Sequence, residues 1–304
     1  MSKTLTVFTP AYNRAHTLGR TYESLCRQTL QDFCWLIIDD GSTDGTKELV
    51  AQWMGENRIE MRYIYQENQG MHGAHNTAYA NITTELNTCI DSDDYMPDDA
   101  VERIVKFWRE KGDISFAGFV GYDIDTKGNV IGTTFPTDMV TTTLIDYYQR
   151  GGQGDKKLVY RTEVVKQYPN YPLFKGERYV GLNVLTMQID ADYRLLVLNE
   201  PLVIVDYQED GSSRMMWKQY WDNPQGFLYT REINLRYSMP FKRRIRLCIH
   251  YVSHALRAKQ LYRIVTSPAP WLTIPLLPIG ICLFLYTWYK VKNNAKMEIR
   301  SESF

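Results

Sequence analysis

The sequence predicts an α/β fold, a doubly wound parallel sheet followed by a helical C-terminal tail. Three observations carry this. Short β-prone runs alternate with segments of helical spacing through the first hundred or so residues, two of those runs end in acidic turns, and a long apolar stretch behind a basic one lies near the C-terminus. With 304 residues the chain is long enough for one large domain with its own core plus an appendage. Its 35 basic and 35 acidic residues balance to a net charge of zero, which excludes a general electrostatic partner such as bulk nucleic acid. Charge-driven recognition must therefore be local. The five cysteines, Cys26, Cys34, Cys89, Cys248 and Cys282, are odd in number and show no C-x-x-C spacing. They suggest neither a disulfide framework nor a zinc site, and read as small buried hydrophobes. Met1 leads straight into a strand-like run with no basic, apolar and small-residue leader pattern, so a cytoplasmic location is the expectation.

Taken in order, Leu5 to Thr9 is a β-prone run ended by Pro10, Thr17 to Gln28 places Leu18, Tyr22 and Leu25 at helical spacing, and Trp35 to Ile38 is a second strand. Thr46 to Met54 predicts a helix, Met61 to Tyr65 a strand, Gly73 to Ala80 a helix, and Glu85 to Ile90 a strand entering Asp91. A helix over Asp99 to Glu110, a strand over Ile114 to Tyr122 and a hairpin turn around Asp125 to Asn129 follow. Residues 141 to 210 mix helix and strand and end in the β-prone Leu202 to Val205. In a sheet of this kind, ligands sit beyond the carboxyl ends of the strands, and the acidic turns fall there.

Asp91-Ser92-Asp93-Asp94 closes a strand, so its first and third residues project to one side, where two carboxylates can share a hard divalent cation with phosphate oxygens. Crowded negative charge is costly unless a positive group occupies it. A solvated turn opening the next helix at Pro97-Asp98-Asp99 is the plainer reading. Asp39-Asp40-Gly41-Ser42, with Thr43 to Thr46 behind it, is likewise either an Asx turn with a helix cap or a place where a carboxylate accepts from a nucleobase N–H. Each turn alone leaves both readings open.

Their combination is more specific. Thr9-Pro10-Ala11-Tyr12-Asn13-Arg14 after the first strand, Asp-Asp-Gly-Ser after the second and Asp-Ser-Asp-Asp after the fourth resemble the family-two glycosyltransferases, whose fold is the Rossmann-like GT-A fold. The resemblance covers residues 4 to 110 well and residues 151 to 230 more loosely. In the second stretch Gly154-Asp155-Lys156, Gly176-Glu177-Arg178-Tyr179, Tyr207 to Ser212 and Asn223-Pro224 look like a bacterial branch that builds surface polysaccharide. It implies a domain over 1–230, with a nucleotide-binding half over 1–110 and an acceptor half over 111–230, and a tail over 231–304.

For single residues, the resemblance implies that Pro10 and Tyr12 wall the base pocket, Asp40 bonds the base, Asp91 faces the ribose, and Asp93 binds Mn2+ or Mg2+ with Asp94 as auxiliary. Asn68, Gly70 and Asn76 pass near the diphosphate. Many relatives carry a Lys or Arg in that stretch; here Met71, His72 and His75 stand instead. An inverting transfer needs a base for the acceptor hydroxyl, and Glu177 is the first candidate, with Asp190 and Asp192 behind it. Leu182 stands where relatives often place a second acid, which keeps a nucleotide-sugar-binding relative without catalysis in view. A nucleotidyltransferase ranks last, because Thr9 to Arg14 lacks glycines.

From Phe241 to Val265 the chain reads as a basic amphipathic helix, and Trp271 to Tyr289 carries no charge. Pro275 and Pro278 break the apolar stretch, which favours a segment lying in a membrane interface over one that spans it; a buried helical hairpin is the alternative. The expectation is a transferase moving one sugar from a nucleotide-diphosphate donor, with UDP as the nucleotide, to a saccharide or lipid-linked acceptor. Residues 241–292 would hold it, as a peripheral or monotopic protein, on the inner face of the cell membrane. The many spanning helices and the Gln-x-x-Arg-Trp segment of processive synthases are absent from the sequence.

Overall fold

The structure, a computed structural model, describes residues 3–206 and 216–301. The chain forms two compact units, Met1–Asn170 with Leu185–Glu209, and Tyr171–Val184 with Asp210–Phe304. Residue 230, the expected boundary, lies within the second unit. The block around Glu177 and the helices on either side of Asn223 belong with the C-terminal helices.

The first unit runs β1 (Leu5–Ala11), α1 (Leu18–Cys26), β2 (Phe33–Asp39), α2 (Thr46–Glu56), β3 (Met61–Tyr65), α3 (Met71–Asn81), β4 (Leu86–Cys89), α4 (Ala100–Lys111), β5 (Phe116–Asp125), β6 (Thr141–Thr142), α5 (Leu144–Gln149), β7 (Lys156–Arg161), α6 (Thr162–Val165), α7 (Asn183–Asp192, begun in the other unit) and β8 (Arg194–Val205). Its sheet has the order β3-β2-β1-β4-β7-β5-β8-β6. The first four strands are parallel, as expected; β7 then runs antiparallel to both β4 and β5, and β6 antiparallel to β8, so the sheet is mixed. The sequence cue fails there because a short strand such as Thr141–Thr142 carries almost no periodicity. The Asp125–Asn129 turn forms as expected, with Asp125 N–H donating to the Asn129 carbonyl, but beyond it pairing is confined to the single bridge Ile124↔Val130.

Central strands covered on both faces read as nearly continuous apolar runs, and β1 and β2 are buried throughout, with Thr6, Thr9 and Asp39 as their polar exceptions. Leu5, Val7, Trp35 and Ile37 face Leu18, Tyr22, Val50, Trp53, Ile104 and Trp108 from α1, α2 and α4. Phe8, Leu36 and Ile38 face Ala74 and Ala78 of α3. Tyr22 stacks on Trp53 at 4.4 Å between ring centroids, and Trp35 closes the cluster with its indole N–H on Thr9 Oγ1 at 3.0 Å. Burying each such ring stabilises the sheet by about 2–3 kcal/mol.

The second unit is helical: α8 (Met216–Asp222), α9 (Pro224–Leu235), α10 (Phe241–Arg257), α11 (Tyr262–Val265), α12 (Pro270–Thr273) and α13 (Leu277–Ser301). The single helix expected from Phe241 to Val265 is broken in two. Lys259 takes a left-handed φ of 57°, and Gln260 N–H reaches back to the Ala255 carbonyl at 2.9 Å, a turn that ends α10. Pro275 interrupts the apolar stretch, while Pro278 falls in the first turn of α13, where its missing N–H has no intrahelical partner to lose. Gly280 lets α13 approach α10: a Cβ there would lie 2.3 Å from Val252 Cγ1. Leu228, Leu235, Cys248, Tyr251, Val252, Ile264 and Leu272 fill the space between these helices. Of the cysteines, Cys34 and Cys248 are buried, whereas Cys282 is exposed on α13. No helix among the described residues is long and apolar enough to cross a membrane. The motif Tyr207 to Ser212 lies outside the described residues.

Candidate active site

The strand order reverses direction between β1 and β4, and the backbone opens there. Ile90 N–H, just past the end of β4, bonds the Phe8 carbonyl at 2.9 Å. The next residue of β1 facing β4 is Pro10, which has no N–H to give, so the chain leaves the ladder and turns into Asp91. Pro10 itself is buried in the strand. Asp39, Asp40, Tyr12 and Asp91 thus lie at one carboxyl edge of the sheet, around this opening.

Two loops brace each other on one side of it. Asn13, with a left-handed φ of 55°, donates its N–H to Ser42 Oγ and accepts from Thr43 N–H at 2.7 Å through its side chain. Ala15 N–H bonds Asp44, and Arg14 N–H bonds Thr46 Oγ1. These contacts hold the backbone that follows Tyr12, whose side chain is 50% exposed. Asp40 is buried, and its carboxylate accepts from Gln66 Nε2 at 2.7 Å, Gln69 N–H at 2.9 Å and Gly70 N–H at 2.7 Å. The residue expected to bond a nucleobase therefore first fixes the loop carrying Asn68 and Gly70. Gly41 is required at the contact: its φ is 86°, and a Cβ would sit 2.9 Å from Asn68 N. Asp39 anchors the turn from below, accepting from Ser42 N–H and from Tyr63 OH.

On the other side lies the acidic turn. Asp91 N-terminally and Asp94 C-terminally close it through Asp94 N–H to the Asp91 carbonyl at 3.0 Å. Asp91 and Asp93 make no hydrogen bond to a described side chain, and so are available to a ligand. Asp94 is buried, accepts from Asp206 N–H at 3.2 Å, and is pushed up to about 8 by burial and by Asp91, Asp93 and Asp123, against the pull of Lys157. Asp91 keeps accessible surface yet is crowded by protein; that crowding, with Asp93 and Asp155, raises its pKa while Lys157 and Arg14 draw it down. Asn76 is half-buried on α3.

Two members of this cluster, Asp123 and Lys157, are not picked out from the sequence, and a third, Asp155, stands there only within the motif Gly154-Asp155-Lys156 with no role given. Asp123 on β5 is buried, its Oδ1 meets no partner among the described residues, and burial raises its pKa. Lys157 on β7 is paired in register with Gly121, two residues from Asp123, and its ammonium bonds the Cys89 carbonyl at 3.2 Å. Despite desolvation its pKa is raised by Asp123, Asp91 and Asp94. Asp155 completes the set. The available signal was a charged pair, Lys156-Lys157, opening an apolar run, and a lone Asp within the strand Phe116–Asp125. In the stretch from Met71 to His75, Met71 is exposed, while His72 and His75 are buried. His75 bonds Tyr79 OH at 3.2 Å, and burial holds it neutral, lowered to about 3.

The three acids expected as the base are all engaged. Glu177, in the second unit, caps α9: Gln225 N–H reaches Oε1 at 3.0 Å and Gly226 N–H reaches Oε2 at 2.8 Å. Asp190 accepts from Ile145 N–H at 2.9 Å at the start of α5, and burial pushes it up to about 6. Asp192 is exposed and accepts from Tyr168 OH at 2.8 Å.

The profile of Glycosyl transferase family 2 matches residues 6–168, more than half of the chain, taking in both loops, the acidic turn and Lys157. The chain belongs to glycosyl transferase family 2. Relatives include the chondroitin synthase of Escherichia coli, 33% identical over 127 residues, which are 42% of this chain and 18% of that protein. The glycosyltransferase GlyG of Streptococcus pneumoniae is 33% identical over 132 residues, 42% of this chain and 43% of that protein. The matched segment thus spans less than half of either relative. Among solved structures, S. aureus TarS 1-349 in complex with UDP-GlcNAc superposes with a TM-score of 0.60 at 17% identity, covering 91% of this chain and 80% of that one. The mannosyltransferase PcManGT from Pyrobaculum calidifontis, in complex with GDP-Man and Mn2+, gives 0.55 at 17% identity, covering 97% and 84%. These likenesses establish a mixed α/β, GT-A-like fold.

Proposed function

We propose that this glycosyltransferase is inverting and metal-dependent, and moves one sugar from a nucleotide-diphosphate donor, UDP-linked, to a saccharide or lipid-linked acceptor in cell-surface polysaccharide synthesis. The observation that carries the reading is the crowding of carboxylates at the opening between β1 and β4: Asp91, Asp93, Asp94 and the orphaned oxygen of Asp123 share Lys157, with Arg14 drawing on Asp91 and Lys156 on Asp123. Among the described residues no three His, Cys, Asp or Glu side chains form a metal-holding group by themselves. An ion here would be completed by the donor's own phosphates, and the crowded acids fit that role.

Asp93, with Asp94 behind it, would hold Mn2+ or Mg2+, and Asp91 would meet the ribose. The ion supplies charge to the departing diphosphate. The chain's own residues do the rest. Tyr12 and Pro10 bound the base, Asp40 keeps Asn68 and Gly70 at the phosphate side, and Lys157 holds the carboxylates together before the donor arrives. Glu177, Asp190 and Asp192 stay the acids to test for accepting the acceptor's proton, with the capping tasks of the first two making Asp192 the freest. In the second unit, exposed Trp271, Ile279, Leu285, Trp288 and Tyr289, with Lys290 and Lys292 over the rings of Tyr286 and Trp288, support contact of residues 241–292 with the inner membrane face.

The test is sugar release and transfer by purified protein with manganese across a panel of nucleotide sugars. Turnover with a UDP-sugar, lost on chelation, is expected. Binding of nucleotide without hydrolysis or transfer would instead identify an inactive nucleotide-sugar-binding relative.

A further inference from the structure

The second unit contains an open cavity of about 510 Å3 lined by Tyr220, Arg231, Lys242, Arg243, Arg246 and His250, with Leu247 at its wall. The geometry points to this cavity as a binding site for a phosphate or diphosphate group, built wholly from residues of the second unit.

Four cations converge on the cavity, and no acid lines it. Among the described residues none of Lys242, Arg243 or Arg246 is paired with a carboxylate. Their position is also unfavourable for the helix that bears them. They occupy the first two turns of the 17-residue α10, whose N-terminus already carries positive partial charge, and its first turn has no acidic residue to offset them. The N-cap is Pro240, which gives no side-chain acceptor to the free N–H groups behind it. Their neighbour Arg244 has an evident structural task, bonding the Leu235 and Tyr237 carbonyls at the end of α9. The other three have none.

Arg231 is a second, independent sign. It reaches the cavity from α9, its guanidinium lies 5.5 Å from the ring centroids of both Tyr220 and Phe227, and its buried Nε meets no acceptor among the described residues. Arg231 is half-buried and has Tyr220 as its polar partner but no carboxylate, so its charge is left for an anion in the cavity to balance. His250 records the same uncompensated field: burial first, then Arg231 and Arg246, lower it to about 4. A compact, multiply charged oxyanion matches several donors around one cavity and a helix N-terminus, whereas a nucleic acid would need an extended basic surface. The inference stands on the second unit alone and does not rest on the transferase reading.

Phosphate of this kind comes either free or on a lipid, and the experiment separates the sources. Full-length protein is titrated with inorganic pyrophosphate by calorimetry. It is also sedimented with phosphatidylcholine vesicles carrying phosphatidic acid, or carrying phosphatidylglycerol at matched charge. The K242A/R243A/R246A variant is run beside the wild type, with uridine diphosphate binding as the check that it is folded. Pyrophosphate binding weakened roughly tenfold or more in the variant establishes the site. If pyrophosphate also displaces the protein from phosphatidic acid vesicles that it prefers to phosphatidylglycerol, the source is lipid; binding of pyrophosphate without that preference makes it free phosphate. Absence of pyrophosphate binding, or equal binding by the folded variant, overturns the proposal. A Trp271→Ser, Trp288→Ser variant that loses vesicle binding but keeps pyrophosphate separates failure of the membrane reading from failure of the cavity.

Discussion

Asp190 shows how a buried group's task can be read from its protonation. Its pKa near 6 lies above the ordinary carboxyl value of 3.8, because burial outweighs the N–H donors at the start of α5. The folded state then binds more protons than the unfolded state between about pH 4 and 6, so stability falls as pH rises through that window. The penalty is complete above pH 6 and absent near pH 3. Asp190→Asn keeps an acceptor for Ile145 N–H and removes the titration. Its unfolding free energy should exceed the wild type by about 1–3 kcal/mol at pH 7.5, with the difference vanishing toward acid pH, as measured by denaturant unfolding across that range. An equal difference at every pH would show that packing, not charge, governs the site. Glu177 behaves differently, since its carboxylate serves two backbone donors. Glu177→Ala should destabilise the helical unit by about 1–3 kcal/mol in thermal unfolding and leave uridine diphosphate affinity within about twofold.

At the scale of elements, the loops after β1, β2 and β3 form one assembly around Asn13, Gly41 and Asp40. Gly41→Ala forces a left-handed residue and a Cβ onto Asn68, so it should cost about 1–3 kcal/mol of stability and weaken nucleotide binding roughly tenfold by calorimetry. Much of this half was legible in the sequence because its signals are local. Met61 to Tyr65 ends where the pattern says it does, and the helices at Thr46 and Met71 depart from their expected bounds by a turn or less. The acidic turns fall at one edge because consecutive parallel strands put every carboxyl end there. Asp123 and Lys157 were illegible for the converse reason. They reach the site through the antiparallel strand β7 and its partner β5, and a pairing between residues 121 and 157 leaves no local periodicity. Glu177 was legible as a motif but not as a cap, because its partners lie 48 and 49 residues away.

For the molecule as a whole, a net charge of zero conceals segregation within each unit. Carboxylates crowd the edge of the sheet in the first, and cations line a cavity in the second. Each concentration of like charge is tolerable to the extent that a ligand of opposite sign meets it; the ligands proposed above are a metal–diphosphate in one case and a phosphate in the other. The tail owes its expected apolarity to two sources the sequence does not separate: residues such as Leu272 and Leu277 that pack on α10, and residues such as Trp271 and Trp288 that face outward. The central claim concerns the carboxylate edge, and its most direct test is calorimetric competition among uridine, guanosine and cytidine diphosphates, with and without manganese, in the wild type and Asp93→Ala. Uridine diphosphate should bind tightest, only with manganese, and about a hundredfold or more weaker in the variant, whose fold persists. Affinity indifferent to base and metal, or undiminished in Asp93→Ala, would contradict the account.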